Sequence, residues 1–111
     1  MNFGTPTADG RAPHTVDLAF MFDNVRLSPG MVGGREQDIV AAQPLATMMS
    51  QMLIMFARTG DPNYASMPKW PVYDLKDRKT MLFDEMSKVV SDPRGDERRM
   101  MVGARYRQPG T

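Results

Sequence analysis

One histidine, His14, stands in the stretch DGRAPHTVDLAFMFDN, residues 9–24. Imidazole is the side chain best suited to take up and return a proton near neutral pH. Gly10 and Pro13 mark a loop ahead of it. A loop can present a ring over a pocket, whereas a helix interior would fix it to one face. A histidine at a helix start or on a surface does no chemistry, so its companions decide its role. Asp17, three residues on, could share a metal with it, but two ligands make no site and no third is near in the sequence. Ser28, Ser50, Ser66, Ser87 and Ser91 all follow His14, and no G-x-S-x-G occurs. The absence of cysteine excludes disulfides, thiolate nucleophiles and zinc–thiolate sites.

Other polar or aromatic clusters carry less. The net charge of +1 makes no case for nucleic acid or an anionic membrane. DERR (96–99) and RYR (105–107) read as solvated charge. DLKDRK (74–79) is a polar turn, without the glycine and terminal glutamate of a calcium loop. Trp70, Pro71 and Tyr73 could form a stacking platform, but on a strand they read first as core. No signal segment opens the chain, and MLIMFA is too short to span a bilayer, so a soluble chain without a membrane partner is expected.

The elements that must hold His14 are unevenly distributed. Met1–Phe3 could end a strand. Thr15–Phe22 reads as a short helix with Val16, Leu18, Ala19 and Phe22 buried. Pro29 and three glycines make residues 25–41 a loop. Leu45, Met48, Met49, Met52 and Phe56 then form the stripe of an amphipathic helix. Pro44 fits only a first turn, which starts that helix near residue 42 and carries it to 59. Arg58 suits its C-terminal dipole, Gly60 its left-handed stop, and Pro62 prevents resumption. Within residues 68–91, WPVYD and TMLFD suggest a strand pair, with KVVSD as a further extended piece. Asp92 as N-cap, Pro93 in the first helical position and Asp96 and Glu97 in the first turn start a terminal helix over 92–102. The remaining tail reads as a frayed end. These pieces do not enclose a core. Four methionines between residues 48 and 55 need more to pack on than 111 residues of this pattern supply, so the sequence reads as incomplete.

APHTVDLAFMFDN, FARTGDPN, WPVYD and TMLFD, in this order and spacing over nearly the whole chain, resemble the C-terminal part of type-B carboxylesterases, the family of para-nitrobenzyl esterases and cholinesterases. The resemblance implies an α/β fold: the chain would be the C-terminal segment of an α/β-hydrolase, itself mainly helices and loops with a short strand pair. Its parts would be a histidine loop at 1–24, a loop at 25–41, a long helix at 42–59, a strand pair at 68–91 and a terminal helix at 92–102. His14 matches the triad histidine. Asp17 matches an acidic residue of local structural use, outside the triad.

The implied activity is carboxylic ester hydrolysis through an acyl-serine intermediate, with no cofactor and no metal. Such enzymes carry serine, acid and histidine in that chain order. The implied partners are an ester substrate and a remaining α/β-hydrolase portion supplying the serine and the acid, and this chain alone is expected to be inactive. Two other readings stay open: a non-catalytic, cholinesterase-like interaction module, and an independent helical domain that binds a partner through its methionine face.

Overall fold

The computed structural model describes residues 12–104, and the readings made for Met1–Phe3 and for the tail from residue 105 fall outside them. Element order is α1 (Val16–Met21), a 3₁₀ turn (Val25–Leu27), α2 (Pro29–Val32), α3 (Glu36–Thr59), β1 (Lys79–Leu82), β2 (Lys88–Ser91) and α4 (Gly95–Met101). Both hydrophobic clusters are built along α3, whose 24 residues extend about 36 Å.

The long helix begins at Glu36, not near residue 42. Its start is set by Asp38, which accepts a hydrogen bond from the Arg35 backbone amide at 3.2 Å. The same carboxylate takes two more from the Arg35 guanidinium, at 2.8 and 2.7 Å. This satisfies an N-terminal amide and places two acidic residues, Glu36 and Asp38, at the positive end of the dipole. The Arg35 hydrogen bonds hold the Asp38 carboxyl below its ordinary value. Gly33 makes room for this start: at φ 124°, a Cβ there would stand 2.6 Å from an Asp38 oxygen. Pro44 therefore lies inside the helix, beyond the first turn. It removes one helical donor, the amide that would face the Val40 carbonyl. Both residues are exposed, so water can serve that carbonyl. The expected loop at 25–41 is thus a 3₁₀ turn, a short helix and the first turns of α3.

At the other end the chain behaves as its residue types require. Gly60 is left-handed at φ 77°, and its amide donates to the Phe56 carbonyl at 2.8 Å.

The first core cluster joins Val16, Ala19 and Phe20 of α1 to Ile39, Ala42, Leu45, Ala46 and Met49 of α3, closed by Val25 and Val32. Two alanines on α3 allow α1 to approach closely, and Phe20 is fully buried. The expected inward residues Leu18 and Phe22 instead face outward, 52% and 65% exposed. A six-residue helix buries one side, and Val16, Ala19 and Phe20 at i, i+3 and i+4 occupy it. Along α3, Leu45, Met49 and Met52 of the expected stripe are buried and Met48 half-buried, but Phe56 is exposed.

A second cluster of Met52, Met67 and Met81 packs Leu53, Tyr64, Trp70, Phe83 and Val89 around the C-terminal half of α3. The strand pair is β1 with β2, antiparallel, Thr80 facing Val90 and Met81 facing Val89. WPVYD is not one of its strands. Pro71 cannot donate to a ladder, and Asp74 caps a turn by accepting from the Lys76 and Asp77 amides at 2.8 and 2.6 Å. The GDPN and WP strings are joined through Asn63: its side chain accepts from the Trp70 amide at 2.6 Å and donates to the Trp70 carbonyl at 2.8 Å.

The terminal helix starts at Gly95, later than expected, because Asp92 takes a left-handed turn at φ 43° and its carboxylate is held by Arg98 at 2.8 Å. By length and composition α3 could also cross a membrane. Here its buried side chains pack on α1 and the ribbon.

The phase of α3 gives a direct expectation. Met52→Asp buries an unpaired charge and loses methionine packing, which costs at least roughly 3 kcal/mol. Gln51→Asp, on the exposed side, should cost under about 0.5 kcal/mol. Denaturant unfolding followed by helical circular dichroism checks the difference, and equal midpoints would mean the phase is wrong.

Candidate active site

His14 occupies a turn immediately before α1, and its side chain is exposed. The turn is closed by the Val16 amide donating to the Pro13 carbonyl at 3.3 Å and the Leu18 amide donating to the Thr15 carbonyl at 3.1 Å. Thr15 lies in the left-handed region at φ 66°. A β-branched residue there is a genuine outlier, costing on the order of 1–3 kcal/mol. Its hydroxyl donates to the His14 carbonyl at 2.5 Å, which ties the two residues of the turn together. The burial of Val16, Ala19 and Phe20 anchors the helix behind this turn, so the histidine is carried on a fixed support. Strain of this kind persists only where surrounding packing imposes it, and it often accompanies functional positions.

Among the described residues the imidazole makes no hydrogen bond, and no group of three His, Cys, Asp or Glu residues could hold a metal. Asp17 is exposed in the first turn of α1, where its charge complements the helix dipole. The five serines are not brought to His14 by any hydrogen bond. Ser87 braces the β1–β2 turn, its hydroxyl donating to the Asp84 carbonyl at 2.9 Å. Ser91 accepts from the Lys79 ammonium at 2.8 Å. The described residues therefore offer an imidazole open to solvent, with no serine or carboxylate hydrogen-bonded to it.

A cleft of about 710 Å³ opens elsewhere, at the C-terminal end of α3, between Met52 and Phe56 on one side and Trp70, Val72 and Tyr73 on the other. His14 does not line it. Trp70 has two roles there: one side meets Phe83 edge-on, with centroids 6.1 Å apart, and another side lines the cleft. The core reading of the tryptophan thus holds in part.

Two features escaped the residue patterns. The left-handed Thr15 has no sequence signal, because threonine disfavours that conformation. The Asn63 clamp had one: Asn63 follows Pro62 in a turn, a setting where asparagine side chains habitually bind nearby backbone.

Comparison with known proteins places the chain in a family. The model of the carboxylesterase family matches residues 2–101. A phenmedipham hydrolase from Pseudarthrobacter oxydans is 32% identical over 93 residues, 79% of this chain and 18% of the relative. Carboxylesterase 5A of Mus musculus is 39% identical over 64 residues, 58% of this chain and 11% of the relative. Among solved structures, a PNB esterase superposes with a TM-score of 0.74 and 25% identity, covering 86% of this chain and 19% of its own. The Geobacillus stearothermophilus carboxylesterase EST55 gives 0.64 and 34%, over 80% of this chain and 18% of its own. These neighbours are α/β-hydrolase esterases, and the chain spans about a fifth or less of the length of each relative.

The turn can be tested apart from any reaction. Thr15→Gly should keep the α1 amide signals in place and gain up to about 1 kcal/mol, since glycine adopts a positive φ freely. Thr15→Pro, locked near φ −65°, should displace them. Amide NMR shifts of residues 14–20 check both, and an undisturbed spectrum for the proline variant would contradict the left-handed turn.

Proposed function

We propose that this chain, which belongs to the carboxylesterase family, contributes the general base of a serine-esterase triad to a type-B α/β-hydrolase whose serine and acid lie in a portion outside these 111 residues. The observation that supports this most is His14 itself: the only histidine of the chain, exposed on a strained turn braced by the α1 core, inside a segment that the family matches.

The chemistry follows from what an unassisted serine lacks. Its hydroxyl is a weak nucleophile at neutral pH and needs a base to take its proton as the oxygen attacks the ester carbonyl. His14 takes that proton and returns it to the departing alcohol, leaving an acyl-serine. It then removes a proton from water, which attacks the acyl group and releases the acid and the free serine. The acid residue, in the absent portion, orients the imidazole and stabilises its charged form. No metal or cofactor enters these steps. Asp17, at the helix start, acts through the stability of α1.

The serine, the acid and the donors that stabilise the oxyanion are required from the hydrolase portion, so this chain alone should not hydrolyse esters. Purified by itself, it should match a His14→Ala control with a chromogenic short-chain ester. In an enzyme assembled with the hydrolase portion, His14→Ala should lower kcat at least roughly a thousandfold with little change in KM, because triad members act as a unit in the transition state. A folded, assembled His14→Ala variant keeping a tenth of the parent kcat would remove His14 from the triad and favour an interaction module.

A further inference from the structure

The aromatic platform of Trp70 and Tyr73 has no part in the esterase reading, and the structure builds it into one wall of the cleft at the C-terminal end of α3. Both rings are held by bonds made away from any ligand. The Trp70 indole donates to the Lys79 carbonyl at 3.4 Å, its ring meets Phe83 edge-on, and Asn63 clamps its backbone amide and carbonyl. The Tyr73 hydroxyl accepts from the Arg78 guanidinium at 2.9 Å. Across the cleft stand Met52 and Phe56 of α3, and Phe56 is 55% exposed. The polar groups of the two rings are thus engaged, and hydrocarbon surface lines a space of about 710 Å³, a size that suits a small organic ligand.

The charged groups of the lining are unequal. Asp61 is its one carboxylate, and its Oδ1 already accepts the Asn63 backbone amide at 2.9 Å and the Asn63 side chain at 2.7 Å. The Lys79 ammonium donates to Ser91 Oγ at 2.8 Å. Lys69 is exposed and forms no hydrogen bond or ion pair among the described residues, acting on Asp61 only through space. We propose that this cleft binds an aromatic monocarboxylic acid, its ring against Phe56, Trp70 and Tyr73 and its carboxylate on the Lys69 ammonium. A cationic ligand would meet two lysines against a single carboxylate that is already engaged. A neutral one would gain the apolar contacts and leave the ammonium unused. Rings fixed before binding need little further ordering, which favours affinity. The proposal goes beyond the triad reading and needs none of its steps, because His14 does not line the cleft.

Trp70 is the chain's single tryptophan, so its fluorescence reports on this cleft alone. Titrated into the 111-residue chain, 4-phenylbutanoate should change that emission saturably, with half-saturation below about 1 mM. The uncharged 4-phenylbutanamide, nearly equal in shape, should bind at least about threefold more weakly, as the loss of one exposed ion pair allows. Lys69→Ala should abolish that preference, and Lys69→Glu should reverse it. Phe56→Ala should weaken both ligands at least about fivefold through lost ring contact. Leu27→Ser, on the exposed 3₁₀ turn, should match the parent. Lys69 and Phe56 are both exposed, so each variant should keep the parent's helical circular dichroism. Emission indifferent to the acid, acid and amide bound alike by the parent, or a parent-like preference in Lys69→Ala would each overturn the proposal. Two further results would give the cleft to another occupant and overturn it equally. One is a dimer in sedimentation that Phe56→Ala dissolves, which assigns the cleft to a second copy. The other is loss of acid binding, read from the acid's own NMR line width, on assembly with the upstream part of the Pseudarthrobacter oxydans relative, which assigns it to the hydrolase body.

Discussion

The contact between α1 and α3 is the constraint on which the rest of the structure depends. Phe20, fully buried, lies in one cluster with Ala42, Ala46 and Met49, and the alanines give it room. If α1 were lifted from α3, the turn carrying Thr15 and His14 would lose the packed helix behind it. The positive φ of Thr15 is tolerated because the packing of Val16, Ala19 and Phe20 behind it over-determines the backbone. The position of a possible base is thus set by apolar burial on the far side of a six-residue helix.

The second half of the chain supports α3 differently. Methionines 52, 67 and 81 fill an irregular gap between helix and ribbon, a use that suits an unbranched, adaptable side chain. Asn63 fixes the strand-like WP segment through backbone hydrogen bonds, and Trp70 then packs edge-on against Phe83. Together the clusters cover one side of α3 along its length. They leave Leu18, Phe22 and Phe56 exposed, in a chain that spans about a fifth of the length of these relatives.

Much of this was legible in the residues. The stop at Gly60 needs a left-handed conformation that glycine adopts freely, so composition revealed it. The methionine stripe gave the helix phase correctly through Met52, and the four motif strings pointed to the family that the comparisons bear out. Pro44 argues for a helix start near residue 42, yet the acidic pair Glu36 and Asp38 starts α3 at Glu36 and the helix accommodates an interior proline that costs on the order of 3 kcal/mol. The burial of Phe20 is not legible in the sequence, because a helix this short has no periodicity to average over and Phe22 competes for the inward position. Aromatic WPVYD looks more strand-like than KVVS, yet Pro71 and the turn at Asp74 keep it out of the ladder and KVVS pairs instead. His14 was visible as a residue type, but its role depended on the family resemblance, since a lone imidazole carries no geometry of its own.

Because His14 is the chain's single histidine, its imidazole can be observed without ambiguity. Labelling histidine with nitrogen-15 in this chain alone, and assembling it with an unlabelled hydrolase portion, leaves one pair of ring signals. Addition of a serine-directed boronic acid or phosphonate should shift those signals strongly in the assembled protein and leave the isolated chain unaffected. Ring signals that stay fixed while the inhibitor blocks the serine would contradict the placement of His14 at the reacting oxygen.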